Sequence, residues 1–357
     1  KSIVSHIVRS IDDKLRIDFG LVDGLADIST WGEMIKQFPN LKLPKGTDAD
    51  QVFIQILDPA TGTGTFLVEI ISQIHKTLLR KWQNQNKTKK EIQTLWNDYV
   101  SEYLLPRING YELMMAPYVI AHLKIGLILR QTGYKFADGK RLQIYLTNSL
   151  EPSSSIKSWI PEFIASETRC VNSAKENTRF TIVIGNPPYS GRSWNLSPIL
   201  RKMVEPYKYI DGTKIYEKGA LQLEKNIQED YIKFVRLAEE AIQITGCGIV
   251  GYVISHGLLD NSTLRGARYS LLSSFDELIL LDMHGNISRS VLSPSGEKDE
   301  NVFDIKKTGA TVIIMTKSPS VNVSISPIHH FDLWGSRSSK YAWLESHIST
   351  RKIFSLI

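Results

Sequence analysis

Apolar residues near the start of the chain fall at Ile3, Ile7, Ile11 and Leu15, the spacing of one helix face, so residues 3–19 predict an amphipathic helix. Residues 20–46 are rich in Gly, Pro, Asp and Thr and predict a linker with short turns. From Val52 the pattern changes. Short apolar runs at 52–57, 108–111, 143–146, 181–184 and 248–255 alternate with helical stretches, the signature of a parallel sheet built from strand-helix-strand units. Runs at 278–282 and 310–316 complete an α/β fold of about seven mostly parallel strands. Residues 66–79 predict an apolar helix. The polar, basic stretch 75–103, with Lys87, Lys89 and Lys90, predicts a helical insertion between the first two strands, either a solvated helical hairpin or a DNA-contacting element. Beyond about Ser318 the pattern weakens. The chain therefore divides into an N-terminal helical segment over 1–50, a main domain over 51–320 with a helical insertion at about 80–106, and a C-terminal extension over 321–357.

Composition narrows the class without redrawing the elements. With 42% hydrophobic and 22% charged residues in 357, the chain matches folded domains and excludes disordered, collagen-like and coiled-coil classes. The longest apolar stretches, such as 119–129, are broken by His122, Lys124 and Gly126, and no secretion signal opens the chain, so a cytoplasmic protein with no membrane span is expected. Cys170 and Cys247 supply neither a disulfide framework nor a zinc cage, and His329-His330 lacks further ligands nearby, so no metal is expected. Lys plus Arg (43) exceeds Asp plus Glu (37) by 6, and the sequence pI is near 9.0. That balance is compatible with a polyanionic partner.

Chemistry enters with Asp58-Pro59-Ala60-Thr61-Gly62-Thr63-Gly64, which follows the first strand and precedes a helix. Glycines let the backbone approach a ligand, and the helix N-terminus adds free N–H groups, so this is a ligand loop. It is not the dinucleotide fingerprint, because Leu67 holds the third glycine position, nor a P-loop, because no Gly-Lys-Ser/Thr follows. Sheets of this kind carry an acid after the second strand for ribose hydroxyls. Glu112 fits that place or is a surface carboxylate; it lies about fifty positions on instead of roughly twenty, and the insertion accounts for the excess. Asn148, after the third strand, either hydrogen-bonds the cofactor's adenine or caps a turn.

The fourth strand ends in Asn186-Pro187-Pro188-Tyr189. Two prolines fix the main chain, and Pro187 pushes Asn186 toward an extended conformation. Loops after strands one and four can face one crevice at the carboxyl ends of an open parallel sheet. An aromatic amine is a poor nucleophile, because its lone pair is delocalised into the ring. Acceptors aimed at its two hydrogens, the Asn186 side-chain oxygen and the Pro187 carbonyl, draw the nitrogen toward a tetrahedral shape and offset its growing positive charge. Tyr189 can stack on a base taken out of a duplex. Cytosine-C5 methylation would want Cys in a Pro-Cys context, and deamination would want His-x-Glu with Pro-Cys-x-x-Cys; neither occurs.

With these motifs the chain resembles the gamma-type N6-adenine DNA methyltransferases, and in particular the modules of single-polypeptide Type IIG and Type ISP restriction-modification enzymes. The resemblance runs through 58–67, Gly110-Tyr111-Glu112-Leu113 with Ala116-Pro117-Tyr118, and 184–191. It continues through 248–260, 265–272, Asp282-Met283-His284-Gly285-Asn286 and Asp299-Glu300-Asn301-Val302-Phe303-Asp304-Ile305. It implies a class I (Rossmann-like) fold and S-adenosylmethionine as cofactor, held by Asp58, Ala60, Thr61, Gly62, Thr63, Gly64, Glu112, Leu113 and Asn148. It places the target adenine at Asn186, Pro187, Pro188 and Tyr189. Phe303 is either a second aromatic wall around that base or a core residue on a strand edge. Asn186 at the head of the tetrad points to adenine N6, since amino-cytosine enzymes more often carry Ser there.

The implied partner is double-stranded DNA, with a target-recognition domain, and nuclease or translocase domains, fused to the module in the full-length protein. Residues 3–10 resemble the sequence just after the family's aromatic-Thr-Pro cofactor motif, a tripeptide absent from this chain, so one cofactor contact is expected to be missing. Two rival readings use the same residues. One is methylation of a protein glutamine amide, and the other is a catalytically silent module that binds cofactor and DNA in a defence complex.

Overall fold

A computed structural model describes residues 1–136, 141–152, 162–189, 193, 195–216, 220–286, 293–294, 296, 298–304, 308–320 and 327–347. Of the motif residues named above, Ser190, Gly191 and Ile305 lie outside this set, as do 321–326 and 348–357 of the C-terminal extension. The chain forms two compact units, one of Ile11–Gly185 with Ile244–Gly246, the other of Lys1–Ser10, Asn186–Gln243 and Cys247–Ile357.

In the first unit four strands, β1 (Ile56–Asp58), β2 (Ile108–Glu112), β3 (Gln143–Leu146) and β4 (Ile182–Gly185), pair in the order β4-β1-β2-β3, all parallel. β1, β2 and β4 are buried along their whole length, and β4, as Ile-Val-Ile-Gly, accordingly reads as a continuous apolar run instead of an alternating one. In the second unit β5 (Gly248–Ser255), β6 (Glu277–Asp282), β7 (Ala310–Lys317) and β8 (Ile328–Asp332) pair in the order β8-β6-β7-β5. β7 is antiparallel to both neighbours, and β8 is parallel to β6.

The mixed, mostly parallel α/β architecture is the expected one, with three differences in detail. The first strand is shorter than 52–57. Phe53 and Ile54 are buried, yet the Phe53 N–H donates to Ser29 O (2.9 Å) and Val52 bridges Thr30, so this stretch spends its hydrogen bonds outside the sheet. The expected linker contains helix Trp31–Gln37, started by a reciprocal cap in which Thr30 Oγ1 accepts from Glu33 N and Glu33 Oε2 accepts from Thr30 N. β8 is an additional strand with no apolar run. It alternates exposed and half-buried positions through His329, His330 and Asp332 and pairs with β6 alone, so it carries no core signal.

Helix Ser2–Asp18 buries Ile3, Ile7, Ile11 and Leu15 as its spacing predicts. The basic stretch is a helical hairpin, Thr65–Asn84 followed by Lys89–Tyr99, with Trp82, Trp96 and Tyr99 buried and Lys87, Lys89 and Lys90 exposed. No helix among the described residues is long and apolar enough to cross a membrane.

Candidate active site

β1 delivers Asp58, fully buried, to the start of the Gly-rich loop. The loop then folds back on itself. Thr61 Oγ1 donates to Asp58 O (2.9 Å), Thr61 N to Tyr111 O (3.0 Å) at the end of β2, and Gly64 N to Thr61 O (2.8 Å). Gly62 and Gly64 take φ of +53° and +76°, a left-handed backbone that favours glycine, and Gly64 leads directly into helix Thr65–Asn84. A Cβ at Gly64 would also sit 3.2 Å from that of Ala121. β2 must give way to the loop as well, since a Cβ at Gly110 would lie 2.6 Å from Thr61 Oγ1 and 3.1 Å from Leu67 Cδ1. Gly110→Ala is therefore expected to destabilise the protein by about 1–3 kcal/mol, the usual cost of overpacking, and to weaken cofactor affinity by displacing Thr61. Denaturant unfolding and calorimetry check the two effects.

Glu112 ties the two strand ends together. One carboxylate oxygen accepts from Gly62 N (2.8 Å) and the other from Met114 N (2.7 Å), and the residue is buried. It is not a surface carboxylate. Each oxygen keeps a second lone pair, so two hydroxyls can still be received.

Asp58 Oδ1 accepts from Ala60 N (3.1 Å), while Oδ2 is buried with no hydrogen-bond partner among the described residues. Burial pushes this carboxyl up to about 8, against the bond from Ala60 N and with a further push from the Glu112 charge. Between the ordinary 3.8 and about 8 the folded protein keeps a proton that the unfolded chain has lost, so this group makes stability fall as pH rises across that window. Asp58→Asn is expected to remove that slope, at most ~1.4 kcal/mol per pH unit. Thermal melts of cofactor-free protein at pH 4 to 8 read the difference.

Of the other predicted cofactor residues, Ala60 is half-buried and Leu113 is exposed. Thr63 Oγ1 accepts from Lys124 Nζ (2.9 Å) of helix Met115–Gln131. Asn148 uses its side-chain oxygen on Leu150 N (3.1 Å), the bond of a turn-capping Asn. Two neighbours carry no signal in the sequence. Ser149 Oγ donates to Pro59 O, and Lys175 Nζ donates to Thr147 Oγ1, Asn148 O (2.7 Å) and Glu151 O. Burial lowers Lys175 to about 8. Its contacts join residues 24 to 28 positions apart, beyond any local pattern.

In the second unit Asn186 and Pro188 are exposed, Pro187 is buried and Tyr189 is half-buried. The Tyr189 hydroxyl donates to Asn186 Oδ1 (2.8 Å), and its ring lies 6.3 Å from that of Tyr231, tilted by 52°. Burial, with Tyr231 beside it, drives the Tyr189 hydroxyl far above the ordinary tyrosine range, so it remains a neutral donor. The chain just beyond is anchored to helix Asp230–Thr245, where Asp230 Oδ1 accepts from Ser193 Oγ and Asn195 Nδ2 and Lys233 Nζ donates to Ser193 Oγ. Phe303 is half-buried and lies outside any strand, in an irregular segment between β6 and β7. Its N–H donates to Asn301 Oδ1 (2.8 Å), and its carbonyl accepts from Arg337 Nη2 (2.9 Å).

Residues 49–209 match the family described as MmeI, DNA-methyltransferase domain. Three solved structures share the fold over nearly the whole chain. They are the ATP-dependent Type ISP restriction-modification enzyme LlaBIII bound to DNA (TM-score 0.72, 21% identity, 99% of this chain and 21% of that one), a nuclease-deletion mutant of the Type ISP enzyme LlaGI with a DNA substrate mimic (0.68, 20%, 98% and 25%), and a DrdV–DNA complex (0.60, 23%, 97% and 29%). The chain thus spans between about a fifth and three-tenths of the length of these proteins. No match was found among curated proteins. The fold read from the motifs is borne out, and residues 49–209, which hold the Gly-rich loop and the tetrad, match a DNA-methyltransferase domain family.

Proposed function

We propose, from the match of residues 49–209 to the MmeI DNA-methyltransferase domain family, that this protein methylates DNA at the N6 amine of adenine with S-adenosylmethionine as donor. It would act in the cytoplasm as the modification part of a restriction-modification or phage-defence system. The observation that carries the reading is the pairing of β1 with β4, parallel and in register at Ile56 with Ile182 and Leu57 with Val183. The Gly-rich loop and the Asn-Pro-Pro-Tyr tetrad therefore leave the same end of adjacent strands, where ligands of open α/β sheets bind.

The residues of the first loop fit the cofactor. Asp58 Oδ2 is a buried polar atom in want of a partner, Glu112 has two spare lone pairs for ribose hydroxyls, and a Cβ at Gly62 would meet nothing closer than 3.9 Å, so that side is open. When bound, S-adenosylmethionine supplies an electrophilic methyl group. Ala60, Thr61, Thr63, Gly64 and Leu113 complete the walls of its site, and Asn148 takes the adenine end. Asn186 Oδ1 and the Pro187 carbonyl accept from the target amine and stabilise the charge that grows on it, Tyr189 stacks on the flipped base, and Phe303 closes the other face. No strong base is needed, because the nitrogen's proton becomes acidic once it carries the new methyl group. In the free protein Tyr189 itself bonds Asn186 Oδ1, so the base takes over an acceptor already aimed and satisfied.

Residues 51–320 form the methyltransferase domain in this reading, with 1–50 and 321–357 as flanking segments. The recognition sequence, and any nuclease or translocase activity, belongs to further domains. The direct test is to incubate the protein with methyl-labelled cofactor and unmethylated duplex DNA and to separate DNA from protein. Label is expected in the DNA. Label confined to protein would favour glutamine-amide methylation, and no label alongside normal cofactor binding would favour a silent module.

A further inference from the structure

Outside the proposed site, the ends of β5, β6 and β8 bring together side chains that the reaction does not use. His256 follows β5, Asp282 ends β6, His284 follows two residues later, and Asp332 ends β8. Asp282 is 2% exposed. Its Oδ1 accepts from His284 N (3.0 Å) and Thr311 Oγ1 (3.2 Å), and its Oδ2 lies 2.7 Å from His256 Nδ1 and 3.5 Å from His284 Nδ1. We propose that His256, Asp282 and His284 bind one divalent transition-metal ion of the Zn²⁺ class, which pins the carboxyl ends of β5 and β6.

Two observations carry this. The three ligand atoms lie within 4.8 Å of one another, a span that small rotations close to metal-ligand distances. His284 also has a carboxylate behind its other nitrogen, with Nε2 2.7 Å from Asp332 Oδ1, the carboxylate–histidine pairing that orients metal-binding imidazoles. Asp260 Oδ2 lies 3.6 Å from His256 Nε2.

Backbone geometry holds His284 beside Asp282. His284 has φ of +47°, outside the usual range for a side-chain-bearing residue, and its ring stacks on Trp334 with centroids 3.5 Å apart. A Cβ at Gly309 would fall 2.6 Å from the His284 carbonyl. His256 and Asp260 also line a cleft of about 400 Å³ with Asn261, Asn286 and Thr308, so the His256 side of the cluster is open.

The test uses Co²⁺ as a spectroscopic stand-in for Zn²⁺. Chelator-treated protein is titrated with Co²⁺ while visible absorbance is followed, and Zn²⁺ is then added in competition. One equivalent with a ligand-field band, displaced by Zn²⁺, is expected. His256→Gln and His284→Gln should each weaken binding at least about tenfold, and Asp332→Asn by roughly 10–100-fold, while circular dichroism stays unchanged. His330→Gln should bind normally. It removes the more exposed alternative set of Asp282, His330 and Asp332. Absence of stoichiometric binding would overturn the proposal. So would binding that survives both His256→Gln and His284→Gln, or that is lost only in His330→Gln.

Discussion

Asn186→Ala is expected to lower the methyl-transfer rate by about 10²–10³-fold while leaving S-adenosylmethionine affinity essentially unchanged. The size is that of removing one preorganised hydrogen-bonding group from the place where charge develops. The selectivity follows from position. Asn186 lies in the loop after β4 and is exposed, and its side chain receives the Tyr189 hydroxyl, so truncation removes little of the fold. Asp58 and Glu112, which are to hold the cofactor, make their bonds within the loop ends of β1 and β2. Single-turnover kinetics with saturating cofactor, alongside calorimetric titration of the cofactor, separates the two effects. A variant with normal transfer would remove Asn186 from the reacting centre.

Glu112→Gln is the converse case, with cofactor affinity expected to fall by about 10–100-fold. Both carboxylate oxygens accept backbone N–H groups, one from each of two loops. The amide must turn its NH₂ toward one of those donors, which leaves that buried N–H unpaired at a cost of about 1–3 kcal/mol. The variant also loses the charge that favours ribose hydroxyls as donors. Saturating cofactor should recover most of the transfer rate, the reverse of the Asn186 pattern. An unchanged dissociation constant would show that Glu112 only braces the loop.

Much of the frame was legible because apolar patterning and burial coincide where strands are covered on both faces, as in β1, β4 and β5. Helix Trp31–Gln37 carries both a capping box and apolar Trp31, Met34 and Ile35 at helical spacing, but over seven residues within Gly- and Pro-punctuated sequence that signal is too short to stand out. β8 hid because it needs only a neighbour's backbone and buries little of its own surface. At the site, the order of motifs placed Asp58, Glu112 and Asn186 on the right strand ends. That Glu112 spends both oxygens on backbone N–H groups, or that Gly110 must lack a Cβ to admit Thr61, depends on contacts between residues about fifty positions apart. The same holds for His256, Asp282, His284 and Asp332, whose convergence has no motif spacing because separate strands deliver them.

The identity of the methylated atom is read directly by mass spectrometry of nucleosides from duplex DNA, digested after incubation with the protein and methyl-labelled S-adenosylmethionine. The label is predicted in N6-methyladenine, and its rate of appearance is predicted to fall by about 10²–10³-fold when Asn186→Ala replaces the wild type. Label in N4-methylcytosine, or in C5-methylcytosine, would contradict the assignment of the Asn-Pro-Pro-Tyr tetrad to adenine N6.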